Sequence, residues 1–92
     1  MARQRVGGLP PPGPTGSNRI DRDAILRVNT RLLQIAAGEG AVYVDNYAAF
    51  VGHEAEYVNV DGLHLRPAGY QALADTFFAS IKATVPQTPL LR

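Results

Sequence analysis

The sequence predicts an α/β fold of parallel strands joined by crossover helices. Two stretches carry apolar residues at the three-and-four spacing of a helical face, one opening at Asp21 and one at Pro67. Each follows a run suited to a strand, "RVGGL" at 5–9 and "AVYVD" at 41–45. Strand, helix, strand, helix is the order that a parallel sheet requires, because a parallel neighbour is reached only by a crossover. Length sets a third constraint: 92 residues make at most one small domain, which buries roughly 60 to 65% of the surface its unfolded chain exposes. The core is expected to be modest.

The first strand is the weaker of the two, since its two glycines offer no side chains to pack. Residues 7–18, "GGLPPPGPTGSN", hold four prolines and four glycines, which forbids helix and interrupts a strand ladder. A loop is expected there, and a polyproline ligand for an aromatic-lined groove is the other reading of the same run. Asp21 then caps a helix whose face is Ile25, Val28, Asn29, Leu32, Ile35 and Ala36, with Gly38 or Gly40 as its stop. The β-branched and aromatic run 41–45 suits a strand buried on both faces of a parallel sheet, with Asp45 at its C-terminal end. Residues 46–60, "NYAAFVGHEAEYVNV", are expected to be loop. Pro67 fits the first position of the second helix, whose apolar stripe is Tyr70, Leu73, Ala74, Phe77, Phe78 and Ile81. The domain is expected over 1–85, with 86–92 a frayed tail.

Composition narrows the possible functions. Apolar residues make up 46% and charged residues 18%, ordinary for a globular chain and too apolar for a disordered one. The formal charge is only +1, so no long-range field favours nucleic acid or an anionic membrane. The absence of cysteine removes disulfides, thiolate metal sites and a cysteine nucleophile. No apolar run approaches the roughly 18 residues of a membrane span, and "MARQRVGGLPPP" lacks the apolar stretch of a signal peptide. A soluble chain with no visible address is expected, its compartment open.

The chemistry concentrates in "DGLHLRPAGY", residues 61–70, which falls after the second strand, where open α/β sheets carry their functional loops. A neutral imidazole acts as a base through one ring nitrogen only if the other is held in the right tautomer. A carboxylate that accepts the second N–H does this and stabilises the imidazolium formed later. A tight turn of three residues can bring Asp61 beside His64, with Gly62 supplying the backbone freedom and Leu63 and Leu65 the anchors. Elsewhere the residues read as structural. His53, in "GHEAE", matches no strong metal-ligand spacing and reads as a solvated loop residue. Asp45 reads as a cap of the turn after its strand, and Tyr47, Phe50 and Tyr57 as packing residues.

The block "DGLHLRPAGY" followed by an apolar helix resembles the last conserved block of the SGNH, or GDSL-type, esterases and lipases. "YVDNYAAF" and "GLPPP" are similar to earlier segments of the same family. The resemblance covers nearly the whole chain and implies the C-terminal part of a three-layer α/β/α, flavodoxin-like hydrolase fold. It also implies a role for each residue of the pair: His64 is the general base of a Ser-His-Asp triad acting on a small-molecule ester, and Asp61 is its orienting acid. No cofactor or metal is implied.

The family's Gly-Asp-Ser nucleophile block and its glycine and asparagine oxyanion blocks have no counterpart in these residues. Ser17 lies in the proline-rich loop and Ser80 near the end of the second helix, neither at a strand-to-helix turn, and both read as solvent-facing. Asn18, Asn29, Asn46 and Asn59 lack the oxyanion context. The chain therefore resembles the C-terminal half of such an acylhydrolase, expected to be inert alone and to need its N-terminal half or self-association. A non-catalytic α/β remnant acting as an interaction module is the alternative, and a small metal-binding domain using His53 and His64 is a third reading.

Overall fold

Two short parallel strands set the frame. A computed structural model of the protein describes residues 3–84, which run β1 (Arg5–Gly7), α1 (Arg22–Glu39), β2 (Val42–Val44), α2 (Asn46–Phe50), α3 (Glu54–Tyr57) and α4 (Pro67–Thr84). The strands pair in parallel with Arg5 opposite Val42, Val6 opposite Tyr43 and Gly7 opposite Val44, and α1 is the crossover. Glycines let the helices approach closely. A Cβ on Gly7 would run into the Phe77 ring of α4, while one on Gly8 would meet Asn29 of α1 and the Tyr43 hydroxyl. Successive residues of an extended chain point to opposite faces, so α4 lies on one side of the strand pair and α1 on the other.

Local chemistry explains the ends of α1. The Asp21 carboxylate accepts the Ala24 N–H at 3.2 Å, satisfying one of the N–H groups a helix start leaves open. At the other end Gly40 takes the left-handed conformation, φ +70°, which costs a residue with no Cβ least. Of the two glycines expected to stop the helix, Gly40 does so and Gly38 stays inside it. Pro67 opens α4 as the sequence predicts, because its missing N–H is one that no helix start can pair internally.

The segment 46–60 departs from the expected loop. It folds into α2, whose first turn is capped by Asp45 accepting the Ala48 N–H at 3.0 Å, and into α3. Elements of five and four residues are too short to show a period. The strand at 41–45 contracts to three residues, with Val44 buried and Tyr43 only half-buried, because β2 has a partner on one side alone among the described residues.

Burial is sparser than the helical stripes imply. Ile25, Ala36, Val44, Phe50 and Val58 form the fully buried apolar core, with Phe50 edge-on to Tyr57 at 5.0 Å between ring centres. On α1, Val28 and Ile35 stand open, and on α4 Tyr70, Phe78 and Ile81 are 57%, 60% and 42% exposed. Ala74 is exposed as well. Periodicity identifies the apolar face of a helix but not how much of it finds a neighbour, and two strands cover little. The proline-rich run is the expected loop, and Pro11 and Pro12 are turned inward and buried rather than offered as a ligand. No described helix is long and apolar enough to cross a membrane. The tail 86–92 lies outside the described residues.

Candidate active site

The turn between Val58 and Leu65 is tied at its base and organised by one carboxylate. Val58 and Leu65 form an antiparallel bridge, and the Asn59 N–H donates to the His64 carbonyl at 2.7 Å. Gly62 N–H then donates to the Asn59 carbonyl at 2.9 Å, closing a tight turn in which Gly62 adopts φ +81°. Inside it the Asp61 side chain receives three donors. Its Oδ1 accepts the N–H groups of Leu63 at 2.9 Å and His64 at 3.0 Å, the arrangement that lets aspartate organise a turn. Its Oδ2 meets the His64 ring nitrogen nearer the backbone, Nδ1, at 2.5 Å. The two side chains predicted to meet do so.

The electrostatics follow from those donors. The His64 ring, then the Leu63 N–H, and with less weight the His64 N–H hold the Asp61 carboxyl at about 2, below its ordinary 3.8, while partial burial opposes them. Asp61 is therefore ionised near neutral pH and can only accept hydrogen bonds. The proton between the pair must sit on Nδ1. In the neutral imidazole the lone pair is then left on Nε2, which no described residue engages. The ring is 67% exposed and the carboxylate side 28%, so Nε2 faces open solvent while its partner is sheltered. Such a unit can take a proton from a donor brought to Nε2 and return it.

The remaining residues of interest lie elsewhere. His53 stacks on Tyr57 with ring centres 5.0 Å apart and its Nδ1 meets Glu56 at 3.2 Å. Among the described residues no group of three His, Cys, Asp or Glu side chains is placed to hold a metal. A cleft of about 350 Å³ lies between the proline-rich loop and α3, lined by Arg19, Arg22 and His53 among others, and neither Asp61 nor His64 is among its lining residues. Glu54 and Glu56 line it as well, so side chains of both charge signs border the cleft. Ser17 is exposed as expected, but Ser80 is half-buried and accepts from Arg5 Nε at 3.2 Å. The guanidinium reaches across from β1 to cover it.

Two asparagines do more than the sequence indicated. Asn29 bonds the Leu9 backbone twice, accepting its N–H at 2.7 Å and donating to its carbonyl at 2.9 Å. Asn46 donates to the Gly8 carbonyl at 2.9 Å. Together they fix the chain as it leaves β1. The sole hint was Asn29 itself, a polar residue on the apolar face of its helix.

A scan against models of protein families and a search of curated proteins each find no match. Among solved structures, the chain superposes on the esterase domain of the ZfL2-1 ORF1 protein from the zebrafish ZfL2-1 retrotransposon. The TM-score is 0.69 at 20% identity, over 90% of this chain and 48% of that one. The fold is similar to about half of that domain. The esterase resemblance read from the sequence is thus matched in three dimensions, and the chain spans about half the length of the structure it resembles. In this fold the Asp61–His64 turn sits directly before α4, tied through Val58 to α3.

Proposed function

We propose that this chain is the histidine–aspartate half of an SGNH-type ester hydrolase, with His64 the general base and Asp61 the carboxylate that orients it. The observation that carries this is the bond from His64 Nδ1 to Asp61 Oδ2, which leaves Nε2 as the basic nitrogen. The esterase fold supports it. In this reading residues 1–85 are the C-terminal half of a three-layer, flavodoxin-like domain, and the serine and oxyanion donors come from the other half.

The reaction then runs through Nε2. The serine hydroxyl attacks the ester carbonyl and gives its proton to Nε2 as the C–O bond forms. The imidazolium is stabilised by Asp61, and donors of the other half hold the negative oxygen. When the tetrahedral intermediate collapses, Nε2 returns the proton to the leaving alcohol. Water repeats the sequence on the acyl-enzyme, releasing the acid and restoring serine. Among the described residues neither Ser17 nor Ser80 lies at a strand-to-helix turn, and on this reading the 92 residues alone are expected to give no hydrolysis above buffer.

A fluorophosphonate probe tests the reading. With the complementary half supplied, attack of its serine on phosphorus expels fluoride and leaves a stable phosphonylated serine, and His64→Ala should slow that labelling by several powers of ten. Labelling as fast with His64→Ala as without it refutes His64 as the base. The large apolar side chains open on α1 and α4 favour a second reading, an interaction module without catalysis. Its signature is stable association with the other half and no labelling.

A further inference from the structure

The proline-rich segment meets the Asp61–His64 turn backbone to backbone. The Gly13 N–H donates to the Gly62 carbonyl at 3.1 Å and the Asn18 N–H to the Asp61 carbonyl at 3.2 Å. Both peptide groups between Asp61 and Leu63 are thereby held by one loop. The contact leaves no room for side chains. A Cβ on Gly16, at φ +113°, would run into the Asp61 carbonyl, and one on Gly62 into the Arg19 Cγ and the Thr15 carbonyl. Arg19 ties the segment to itself, its Nε–H donating to the Gly13 carbonyl at 2.5 Å, while its stem lies against Gly62. On the far side Gly13 packs on Val58, where a Cβ would stand 3.0 Å from Cγ1. Val58 is buried and bridges Leu65, so the turn is gripped from two directions.

We propose that Arg19 is a positioning residue for the Asp61–His64 pair, holding Gly13 against Gly62 so that the turn keeps the one shape in which the carboxylate meets Nδ1. This rests on the reading of His64 as a base. The restraint is needed because the His64 ring is 67% exposed: water competes with the carboxylate for Nδ1, and a pair open on one side holds its geometry poorly by itself. Gly62 adds freedom that something else must remove. The charge of Arg19 is not the agent, since no arginine is among the groups that lower the Asp61 carboxyl.

The test is made on the 92-residue protein by nitrogen and carbon NMR, which report the His64 tautomer and the Asp61 titration without any turnover. In the wild type His64 should carry its proton on Nδ1, with the Asp61 carboxyl near 2. Arg19→Ala should shift the ring toward the Nε2–H form and bring Asp61 back toward 3.8. Gly16→Ala should do the same from the other side of the contact, while Arg27→Ala, which removes an exposed charge from α1, should change neither. Should Arg19→Ala fail to fold, Arg19→Met carries the test, keeping the stem and removing only the donor. A folded Arg19 variant with the tautomer and the Asp61 titration unmoved overturns the proposal, as does an equal effect of Arg27→Ala. Because nothing here depends on ester cleavage, an inactive hydrolase leaves the outcome decided, and an active one with an unmoved pair defeats only the role of Arg19.

Discussion

At the scale of single residues, the Asp61 carboxylate organises the site and also reports on it. A carboxyl whose value is lowered on folding contributes stability that is complete above its unfolded value. That stability is lost as pH falls from about 3.8 through about 2. Asp61→Asn should therefore destabilise the protein at pH 7 by an amount that shrinks as pH falls from about 3.8 through about 2, where the folded carboxyl is half protonated. Denaturant unfolding at pH 7, 4 and 2 measures this, and a gap as large at pH 2 as at pH 7 would mean the substitution acts through packing instead. In the proposed hydrolase the same substitution should slow turnover somewhat less than His64→Ala or comparably, since on that reading it misorients the base without removing it. The pair was legible in the sequence because its partners are three residues apart and a turn needs no distant information. Asn29 and Asn46 were not, because the groups they bond, at Leu9 and Gly8, are 20 and 38 residues away. Spacing along the chain says nothing about such contacts.

Elements repeat the distinction between local and distant causes. The caps of α1 were readable from Asp21 and Gly40 because a helix end has only its neighbours to pair with. Asp21→Ala should cost about 1 kcal/mol, seen as a lowered denaturation midpoint. The short helices α2 and α3 escaped detection, and their existence depends on Asp45 at one end and on Phe50 in the core. Phe50 is wholly buried, so Phe50→Ala should cost about 3 to 5 kcal/mol. Phe77, half-buried on α4, should lose distinctly less in the same measurement. Equal losses at the two positions would show that α4 is covered more fully than its exposed Tyr70 and Phe78 indicate. The stripe of α4 illustrates what periodicity conveys: the right side of the helix, with no count of the residues that find cover.

At the scale of the molecule, the two strands of three residues and five buried apolar side chains among the described residues are little to hold a fold together. An isolated pair of strands is marginal in water, and this one leaves Leu26, Leu33, Tyr70 and Phe78 open on helices on either side of it. The parallel frame, the crossover and the position of the Asp61–His64 turn before α4 were all present in the order of elements. What the sequence concealed is how much of each helix lacks a neighbour, which depends on long-range packing that spacing along the chain does not carry. The 48% span of the matched esterase domain and the open apolar faces are accounted for together if the chain works against the other half of the fold. The most direct measurement is the rate of short-chain aryl ester hydrolysis by this chain combined with a complementary half bearing a Gly-Asp-Ser nucleophile, wild type against His64→Ala. The account predicts turnover that neither half gives alone and that falls by several powers of ten with His64→Ala. Turnover by the 92-residue chain alone that is indifferent to His64→Ala would contradict it.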